Sequence, residues 1–446
     1  MVKTELLDKI RKAGVIGAGG GGFPSYKKLA ANVKHIIANG VECEPLLYKD
    51  HAIMQRETGK LINGLEIVRE ITGAEKVTIA VKQKNRDIAD LIKPQAEKCG
   101  FDIFITKNVY PAGDEFILVY EVTGKRVPPN GIPLSAGCVV LNVETLVNIA
   151  NAVDDKPVTE KYITIAGAVA DPVTTLVPIG TSFKDCIDFA GGVTTDNFVI
   201  LTGGVMMGGV ENDIGLPVTK TLAGLIILPS DHTLAVRKSS PQKVYNKTGQ
   251  STCDQCSFCT QLCPRYTLGY PVQPHLVMRS LLMRGEAAES FNIWAAGCCE
   301  CNICSLFACP EKLDPKNICA DTKIKLKDRR NGFTNEDFEK LMRDIHPARE
   351  GREIPVSSLY QRLGIKQYDR KAAYKNFDKK IKEVIIPLKY NFGKAAIPVV
   401  STGSKVSAGE LIATAEENDL NVPVHSGING TIKNISGKGI LISANY

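Results

Sequence analysis

The sequence predicts a multidomain α/β protein, because its hydrophobic pattern and its cysteine content change several times along the chain. Strand-like and helical stretches alternate over residues 1–158, which is typical of a parallel sheet covered by helices. Residues 159–235 contain short β-branched runs and turn residues, which indicate a smaller β-rich α+β unit. We expect a cysteine-rich unit over residues 236–330 and a charged connector over residues 331–385. Gly-rich turns predict a small all-β module over residues 386–446.

Composition narrows the class of protein. The chain has 446 residues, of which 44% are hydrophobic and 23% are charged, as in an ordinary globular protein of about three domains. The net charge of +7 is mild and no dense block of Lys and Arg occurs, so no nucleic-acid partner is expected. A basic surface for an acidic partner protein or an anionic cofactor fits the same charge. We expect neither a signal peptide nor a transmembrane segment, and the clustered cysteines favour a reducing cytoplasm.

A glycine-rich loop opens the first domain. The stretch GAGGGGFPSYKKL (residues 17–29) has five glycines within six residues and leads into a predicted helix. Glycines let backbone N–H groups approach a phosphate closely, and a helix N-terminus adds positive potential there. The loop lacks the GK[ST] ending of a Walker loop and is not a clean dinucleotide fingerprint after a strand. A phosphate-binding loop and a tight turn both fit these residues.

Two series of four cysteines carry the strongest chemical signal. The first has the spacing C-x2-C-x2-C-x3-C before a proline, and its members are Cys253, Cys256, Cys259 and Cys263. The second has the same spacing except for a last gap of four residues, and its members are Cys298, Cys301, Cys304 and Cys309. Three thiolates two residues apart can surround one [4Fe–4S] cluster, whereas the fourth, before proline, reaches toward another cluster.

The spacing therefore predicts two [4Fe–4S] clusters with crosswise ligation. Cys309 joins the first three cysteines of the first series, and Cys263 joins the first three of the second. Cys299 is an alternative to Cys298, although a C-x-C spacing would break the repeat. Zinc and disulfides are the other interpretations, but zinc ribbons use two CxxC knuckles rather than a run of three thiols. The remaining cysteines are predicted to be free thiols: Cys43, Cys99, Cys138, Cys186 and Cys319.

The C-terminal module resembles a lipoyl- or biotinyl-type sandwich over VPVHSGINGTI (residues 422–432). Such carriers need a lysine at an exposed hairpin tip. The corresponding stretch, ATAEENDLNVPV, contains no lysine. We therefore predict a docking or packing module and reject a swinging arm.

Four segments of the first domain resemble, in order, the NADH-oxidising flavin subunit of respiratory complex I. They are GAGGGGFPSYKKL, ANGVECEP (38–45), YPAGDE (110–115) and LNVETL (141–146). The resemblance implies a Rossmann-like FMN domain that takes NADH as substrate. Two departures, Ala18 in place of an arginine and Leu141 in place of an asparagine, affect the expected nucleotide contacts.

The same resemblance implies twelve cofactor-binding residues. The glycines would line the flavin phosphate and the nucleotide, the lysine and the central polar residues would contact the flavin, and the last two would hold its phosphate end. The residues are Gly17, Gly19, Gly20, Gly22, Lys28, Asn39, Glu42, Glu44, Asp114, Glu115, Asn142 and Thr145.

The order of units along the whole chain resembles the RnfC family, a component of the Rnf electron-transfer complex. The stretches CPRYTLGYPVQPHLVMR and AGCCECNICSLFACP, together with the C-terminal place of the β module, are closest to its PduS-like branch of cobalamin reductases. This resemblance implies a β-grasp (SLBB) domain at 159–235, a helical two-cluster [4Fe–4S] ferredoxin-like domain at 236–330 and a barrel-sandwich hybrid at 386–446.

The function implied is NADH oxidation at FMN, with a one-electron relay through both clusters to cobalamin or a partner protein. No catalytic acid or base is expected. The alternative is a non-catalytic electron-relay subunit of an Rnf-like or other multisubunit oxidoreductase. The implied location is the cytoplasm, within a bacterial microcompartment or peripherally attached to a membrane complex, and the chain could form oligomers.

Overall fold

The computed structural model describes residues 2–328, 334–417 and 419–445. The first domain has five strands: β1 (His35–Gly40), β2 (Lys76–Lys82), β3 (Asp102–Thr106), β4 (Val109–Tyr110) and β5 (Cys138–Asn142). Its helices are α1 (Lys3–Lys12), α2 (Ser25–Leu29), α3 (Lys49–Arg56), α4 (Thr58–Thr72), α5 (Arg86–Lys98), α6 (Glu115–Thr123) and α7 (Val143–Val153).

Four of these strands form a parallel sheet in the order β3-β2-β1-β5. Six of the seven residues of β2 are buried, as expected for a strand covered on both faces. Asn39 of β1 pairs in register with Asn142 of β5 at the carboxyl ends of the two strands. Ligands of open parallel sheets bind at this edge, so the topology brings two segments of the complex I resemblance together there.

The second domain is a six-stranded mixed sheet with two helices. Its strands are β6 (Glu160–Gly167), β7 (Val173–Pro178), β8 (Phe198–Thr202), β9 (Gly209–Glu211) and β10 (Gly224–Pro229), completed by β12 (Ala373–Tyr374). The order is β12-β7-β6-β10-β8-β9. The helices are α8 (Phe183–Phe189) and α9 (Thr233–Lys238).

The third domain is helical and packs around a core that includes Leu268, Val277 and Met278. Its helices are α10 (Gln242–Thr252), α11 (Phe258–Gln261), α12 (Pro264–Thr267), α13 (Pro274–Ser280), α14 (Gly285–Asn292) and α15 (Pro315–Asp328). A π-helical turn covers Cys304–Ala308.

The segment that the sequence predicts as a charged connector takes part in two other domains. It contains α16 (Asn335–Lys340), β11 (Ile354–Pro355), α17 (Val356–Arg362) and β12. Strand β11 pairs with β4 of the first domain, and β12 pairs with β7 of the second. This segment therefore ties the first two domains together.

The C-terminal module has two facing sheets. Its strands are β13 (Glu383–Ile386), β14 (Ile397–Pro398), β15 (Lys405–Val406), β16 (Leu411–Thr414), β17 (Val424–His425), β18 (Gly430–Ser436) and β19 (Gly439–Ala444). The sheet orders are β13-β19-β18-β15 and β14-β16-β17. Buried residues such as Ile412 and Ile442 belong to the same hydrophobic cluster as Leu6 and Ile10 of α1, so the module packs directly on the first domain.

No helix in the described part of the chain is both long enough and apolar enough to cross a lipid bilayer.

The contact between α4 and α7 generates the first prediction. A Cβ built on Gly64 would lie 2.2 Å from the carbonyl oxygen of Leu146. We expect Gly64→Ala to lower the free energy of unfolding by about 1–3 kcal/mol, because overpacking forces the helices apart. Thermal unfolding of the holoprotein measures the effect. Gly59→Ala, in the same helix but with open space around its Cβ, is the matched control and should be neutral or stabilising. Equal melting temperatures for the two variants would contradict the expectation.

Candidate functional site

A cleft of about 350 Å³ opens at the carboxyl ends of β1 and β5. This volume is in the range of small-molecule sites. Eleven of the twelve residues implied as cofactor-binding line it: Gly17, Gly19, Gly22, Lys28, Asn39, Glu42, Glu44, Asp114, Glu115, Asn142 and Thr145. Gly20, the twelfth, faces the C-terminal module, where its carbonyl accepts a hydrogen bond from Asn391 at 2.9 Å.

The glycine loop closes on itself at the start of this cleft. The Gly17 amide donates to the Phe23 carbonyl at 2.9 Å, and the Gly22 amide donates to the Gly17 carbonyl at 3.0 Å. The Ala18 amide donates to the hydroxyl of Thr145 at 2.9 Å, which ties the loop to α7. The amides of residues 19–21 donate to no other described residue. Three successive free N–H groups are what a phosphate-binding loop requires.

Several side chains in the cleft already have protein partners. The Lys28 ammonium donates to the Val140 carbonyl at 2.7 Å and lies 3.3 Å from the Glu115 carboxylate. The Asn39 amide donates to the Gly113 carbonyl at 3.0 Å. The Asn142 side chain caps α7 by accepting from the Glu144 amide. The fold brings these groups to one edge, and their contacts fix their orientation.

A buried charge network lies beneath the glycine loop. Lys161 of the second domain donates to the Ala18 carbonyl at 2.8 Å and to the Glu144 carboxylate. Lys49 bonds Asp50 and reaches Glu144 at 3.3 Å. Burial lowers the pKa of Lys161 to about 8, whereas the neighbouring carboxylates outweigh burial and raise the pKa of Lys49. No sequence pattern indicated Lys161, because it occupies an ordinary strand position in a different domain.

Glu44 holds a loop of the second domain against the cleft. Its two carboxylate oxygens accept from the amides of Met206 and Met207, each at 2.8 Å. On the other side of the loop, Lys238 and Asn302 donate to the Met206 carbonyl at 2.9 and 3.0 Å. Burial raises the pKa of Glu44, and the two N–H groups partly oppose that shift. The β8–β9 loop (residues 203–208) is therefore fixed by three domains.

Two buried polar atoms in the cleft have no partner among the described residues. They are Oε2 of Glu42 and Oγ of Ser25, and both residues line the cleft. Burial, with a contribution from Asp50, raises the pKa of Glu42 to about 7. Buried polar groups are normally hydrogen-bonded, so these two atoms indicate a site for a polar ligand. The cleft thus fits the flavin that the resemblance implies.

The segment that carries the second cysteine series contributes two thiols to the wall of the same cleft. Cys299 and Cys301 line it together with the glycine loop. The Tyr110 hydroxyl donates to the Cys301 carbonyl at 2.8 Å. Arg265 forms an ion pair with Asp114 at 2.8 Å. These contacts join the third domain to the first at the cleft.

The two cysteine series have the same backbone. Gln255 and Ser257 have φ values of 60° and 63°, and Glu300 and Asn302 have 59° and 69°. Non-glycine residues rarely adopt positive φ, so this repeated pair is specific. The pair lies two and four residues after Cys253 in the first series. In the second series the pair lies two and four residues after Cys298. Cys298, rather than Cys299, is therefore the counterpart of Cys253 in this backbone pattern.

The π-helical turn Cys304–Ala308 absorbs the extra residue of the second series. After it, Cys309 has φ −72° and ψ 118°, and Cys263 has φ −70° and ψ 120°. A π-turn accommodates one additional residue in a helix. The fourth cysteines therefore leave their helices in the same direction despite the longer gap.

The thiols group across the two series. Burial, and then the nearby thiols of Cys309, Cys253 and Cys256, raise the pKa of Cys259 to about 12. Burial, and then Cys299 and Cys298, raise the pKa of Cys263 above its ordinary value. The Cys309 thiol is thus close enough to the first series to shift the pKa of Cys259, and Cys299 and Cys298 of the segment that carries the second series are close enough to shift that of Cys263.

Exposure separates the two groups. The thiols of the second group are buried: Cys263, Cys298, Cys301 and Cys304. In the first group Cys259 is buried, whereas the other three are half-exposed: Cys253, Cys256 and Cys309. The buried group adjoins the cleft, and the half-exposed group lies toward the surface.

The C-terminal module supplies residues that the sequence did not indicate. Asn391 donates to the carbonyls of Gly20 and Gly21 at 2.9 and 3.1 Å. The ring of Phe392 lies edge-on to Phe23 with centroids 5.4 Å apart. These contacts join positions about 370 residues apart, so no local pattern could reveal them.

The segment that carries Asn391 and Phe392 is held in place by the hairpin of this module that lacks the carrier lysine. Asp419 accepts from the Lys394 amide at 2.9 Å. Asn421 donates to the carbonyls of Leu388 and Lys394 at 3.0 and 2.7 Å. The module therefore braces the glycine loop, which agrees with the predicted packing role.

Loss of this brace should weaken flavin binding. We expect Asn391→Ala to raise the dissociation constant for FMN about tenfold, because two hydrogen bonds that order the glycine loop are lost. Flavin fluorescence during titration of the apoprotein measures the constant. The exposed Asn434 in β18 gives the control, Asn434→Ala, which should bind FMN like the unmodified protein. An unchanged constant for Asn391→Ala would rule out the bracing role.

Four family models match successive parts of the chain. They are the Nuo51 FMN-binding domain over residues 10–151, the SLBB domain over 162–209, the 4Fe-4S dicluster domain over 252–314 and the RnfC barrel sandwich hybrid domain over 363–443. The predicted fold class is confirmed. So are the predicted cofactors, FMN and [4Fe–4S] clusters, and the protein is an oxidoreductase that transfers electrons through them.

Solved structures and curated proteins extend the comparison. The NAD⁺-reducing [NiFe]-hydrogenase in the H₂-reduced state is 19% identical in sequence, with a TM-score of 0.51. The match covers 77% of this chain and 63% of the hydrogenase chain, and it shows a similar fold. The C component of the proton-translocating ferredoxin:NAD⁺ oxidoreductase complex of Clostridium ljungdahlii is 33% identical over 65% of this chain and 61% of its own.

Two further relatives match from end to end. Cobalamin reductase PduS of Salmonella typhimurium strain LT2 is 35% identical over 98% of this chain and 96% of its own length. Cobalamin reductase PduS of Citrobacter freundii is 36% identical, also over 98% of this chain and 96% of its own length. The cysteine-lined flavin cleft, the order of the four domains and this full-length similarity show that the chain belongs to the PduS family.

Proposed function

We propose that the protein oxidises NADH at FMN and passes the electrons singly through two [4Fe–4S] clusters to cobalamin or a partner protein. The main support for this proposal is that residues of the glycine loop and cysteines of the segment that carries the second series line the same cavity. FMN accepts a hydride and releases electrons one at a time, and each cluster carries one electron. The chain's own residues bind, orient and shield these groups.

The proposed binding residues divide by position. The free amides of residues 19–21 would receive phosphate, and the positive φ values of Gly20 and Gly22 let the loop turn tightly around it. Lys28, Asn39, Asn142 and Thr145 would contact the flavin from the sheet edge. Glu42, Asp114 and Glu115 would flank the flavin and the dinucleotide. Glu44 would act through the β8–β9 loop, because both of its oxygens are already occupied.

The crosswise ligand sets remain our proposal for the clusters. Cys253, Cys256, Cys259 and Cys309 would hold an outer cluster, and Cys263, Cys298, Cys301 and Cys304 an inner one. The repeated backbone supports the choice of Cys298, and the grouping of the thiols supports the crosswise places of Cys309 and Cys263. Since the inner set adjoins the cleft and the outer set is half-exposed, the electrons would travel from the cleft to the inner set and then outward.

A second function is a relay subunit without an NADH site of its own, within an Rnf-like or other oxidoreductase complex. The similarity to the component of the ferredoxin:NAD⁺ oxidoreductase complex favours it. Either role would place the protein in the cytoplasm, in a microcompartment or on the face of a membrane complex, with an acceptor protein, cobalamin or further copies as partners.

Anaerobic reduction separates the two functions. We expect NADH to bleach the flavin absorption of the anaerobically purified holoprotein and then to decrease the cluster absorption, because the cleft adjoins the inner cysteines. Stopped-flow absorbance measures both phases. Dithionite, which needs no dinucleotide site, gives the full amplitude as the control. Reduction by dithionite without any reduction by NADH would favour the relay subunit.

The ligand sets can be tested one cysteine at a time. We expect Cys309→Ser to alter the EPR signal of the outer cluster, and Cys263→Ser to alter that of the inner cluster, because each residue would ligate across the repeat. Cys99→Ser, which replaces a thiol of the first domain, is the control and should leave both signals intact. If Cys309→Ser changed only the inner cluster, the crosswise sets would be wrong.

A further inference from the structure

A second cavity, of about 370 Å³, shares Met207 of the β8–β9 loop with the flavin cleft. Its other walls are α9, α10 and the segment that carries the second cysteine series. Neither the resemblances nor the flavin cleft gives this cavity a role.

The cavity is strongly cationic. Arg237, Lys238, Lys312 and Lys316 line it, against the single carboxylate of Asp314. Asp314 is engaged by Ser305 and Asn317 at 2.7 and 2.6 Å. Within the described ranges, the first three cations have no carboxylate within ion-pair distance, and Lys316 reaches Glu300 only at 3.8 Å. A cleft lined by charges of one sign attracts ligands of the opposite sign.

Two groups in the wall are poised for a ligand. The Lys238 ammonium donates to the carbonyls of Val205 and Met206, at 3.2 and 2.9 Å, and to no other group among the described residues, and burial lowers its pKa to about 8. Asn302 is 7% exposed, and its Oδ1 has no partner in the part of the chain that the structure describes. The Lys238 ammonium would bind an anion, and Oδ1 of Asn302 would accept a hydrogen bond from an N–H or O–H donor.

The cavity also adjoins both cysteine groups. Asn302, Ser305 and Leu306 in its wall neighbour Cys301 and Cys304 of the inner group in sequence. Leu313 lies in the wall as well, and its backbone bonds the outer Cys309 thiol. A ligand here would therefore lie beside both proposed clusters.

We propose that this cavity binds the phosphodiester end of a corrinoid electron acceptor. This inference rests on the proposed function and adds the place where its acceptor docks. A corrinoid carries both required groups, a phosphodiester anion and amide N–H donors. A cavity of this volume takes only part of so large a molecule, so the macrocycle stays outside, next to the half-exposed outer cysteines.

The electrons balance without a bond to the protein. One NADH gives NAD⁺, one proton and two electrons. Two cobalt centres each gain one of these electrons, from Co(III) to Co(II) or from Co(II) to Co(I). The phosphodiester is unchanged, and the cations hold it in position.

Equilibrium dialysis of the oxidised holoprotein tests the site. The probes are cyanocobalamin and dicyanocobinamide, which lacks the phosphodiester and the nucleotide. We expect the cobinamide to bind at least about tenfold more weakly and inorganic phosphate to compete with cyanocobalamin. Lys312→Gln and Lys316→Gln should each weaken cyanocobalamin binding about tenfold. The exposed Lys247→Gln, on α10 outside the lining, removes the same charge and should bind normally.

Cluster absorbance of each variant confirms that it is folded and loaded. Equal binding of the two corrinoids, normal binding by both lysine variants, or no binding of cyanocobalamin would each overturn the inference. Flavin bleaching by NADH is recorded on the same preparation. If NADH did not bleach the flavin, NADH would not be the electron donor, but the measured corrinoid binding would remain valid. The two proposals can therefore fail independently.

Discussion

The arrangement of the cofactor sites depends on two backbone N–H groups that share one partly buried carboxylate. Glu44 follows β1 in the first domain and accepts from Met206 and Met207 of the second. Withdrawing a carboxylate from water, even in part, is costly unless it is hydrogen-bonded, so Glu44 is stabilised only while the β8–β9 loop stays in place. Gly204 has φ +150°, and a Cβ there would lie 2.6 Å from the Glu44 side chain. The Glu44 carboxylate therefore requires a glycine at position 204 of the β8–β9 loop. The third domain contacts the opposite side of this loop.

Charge balance beneath the glycine loop imposes a second constraint. Lys49 and Lys161 face Asp50 and Glu144, all of them almost fully buried. Removing one member of such a set leaves an uncompensated buried charge, which costs about 3–5 kcal/mol. Because the four charges cancel, they add little potential to the cleft. An anion at the glycine loop would therefore depend on the free backbone amides above the network.

Sequence reasoning succeeded where the chemistry is local. The cysteine spacings and the four flavin-domain segments are short patterns, and the structure gathers eleven of the twelve implied residues in one cleft. It failed for Lys161 and Asn391, whose partners are distant in sequence. It also assigned residues 331–385 to a connector because they are highly charged. Two short strands in that segment pair with other domains, and a strand of two residues has no readable period.

The single extra residue of the second cysteine series has consequences in two places. In a regular helix it would rotate the fourth cysteine away from its partners, and the π-turn at Cys304–Ala308 prevents this. A π-turn also changes which backbone groups bond within the helix, and here the Ser305 carbonyl accepts from Arg237. Arg237 is one of the cations of the second cavity. The π-turn that keeps the thiols aligned thus also anchors a wall of the proposed acceptor site, which links the geometry of the inner cysteines to the proposed route by which electrons leave.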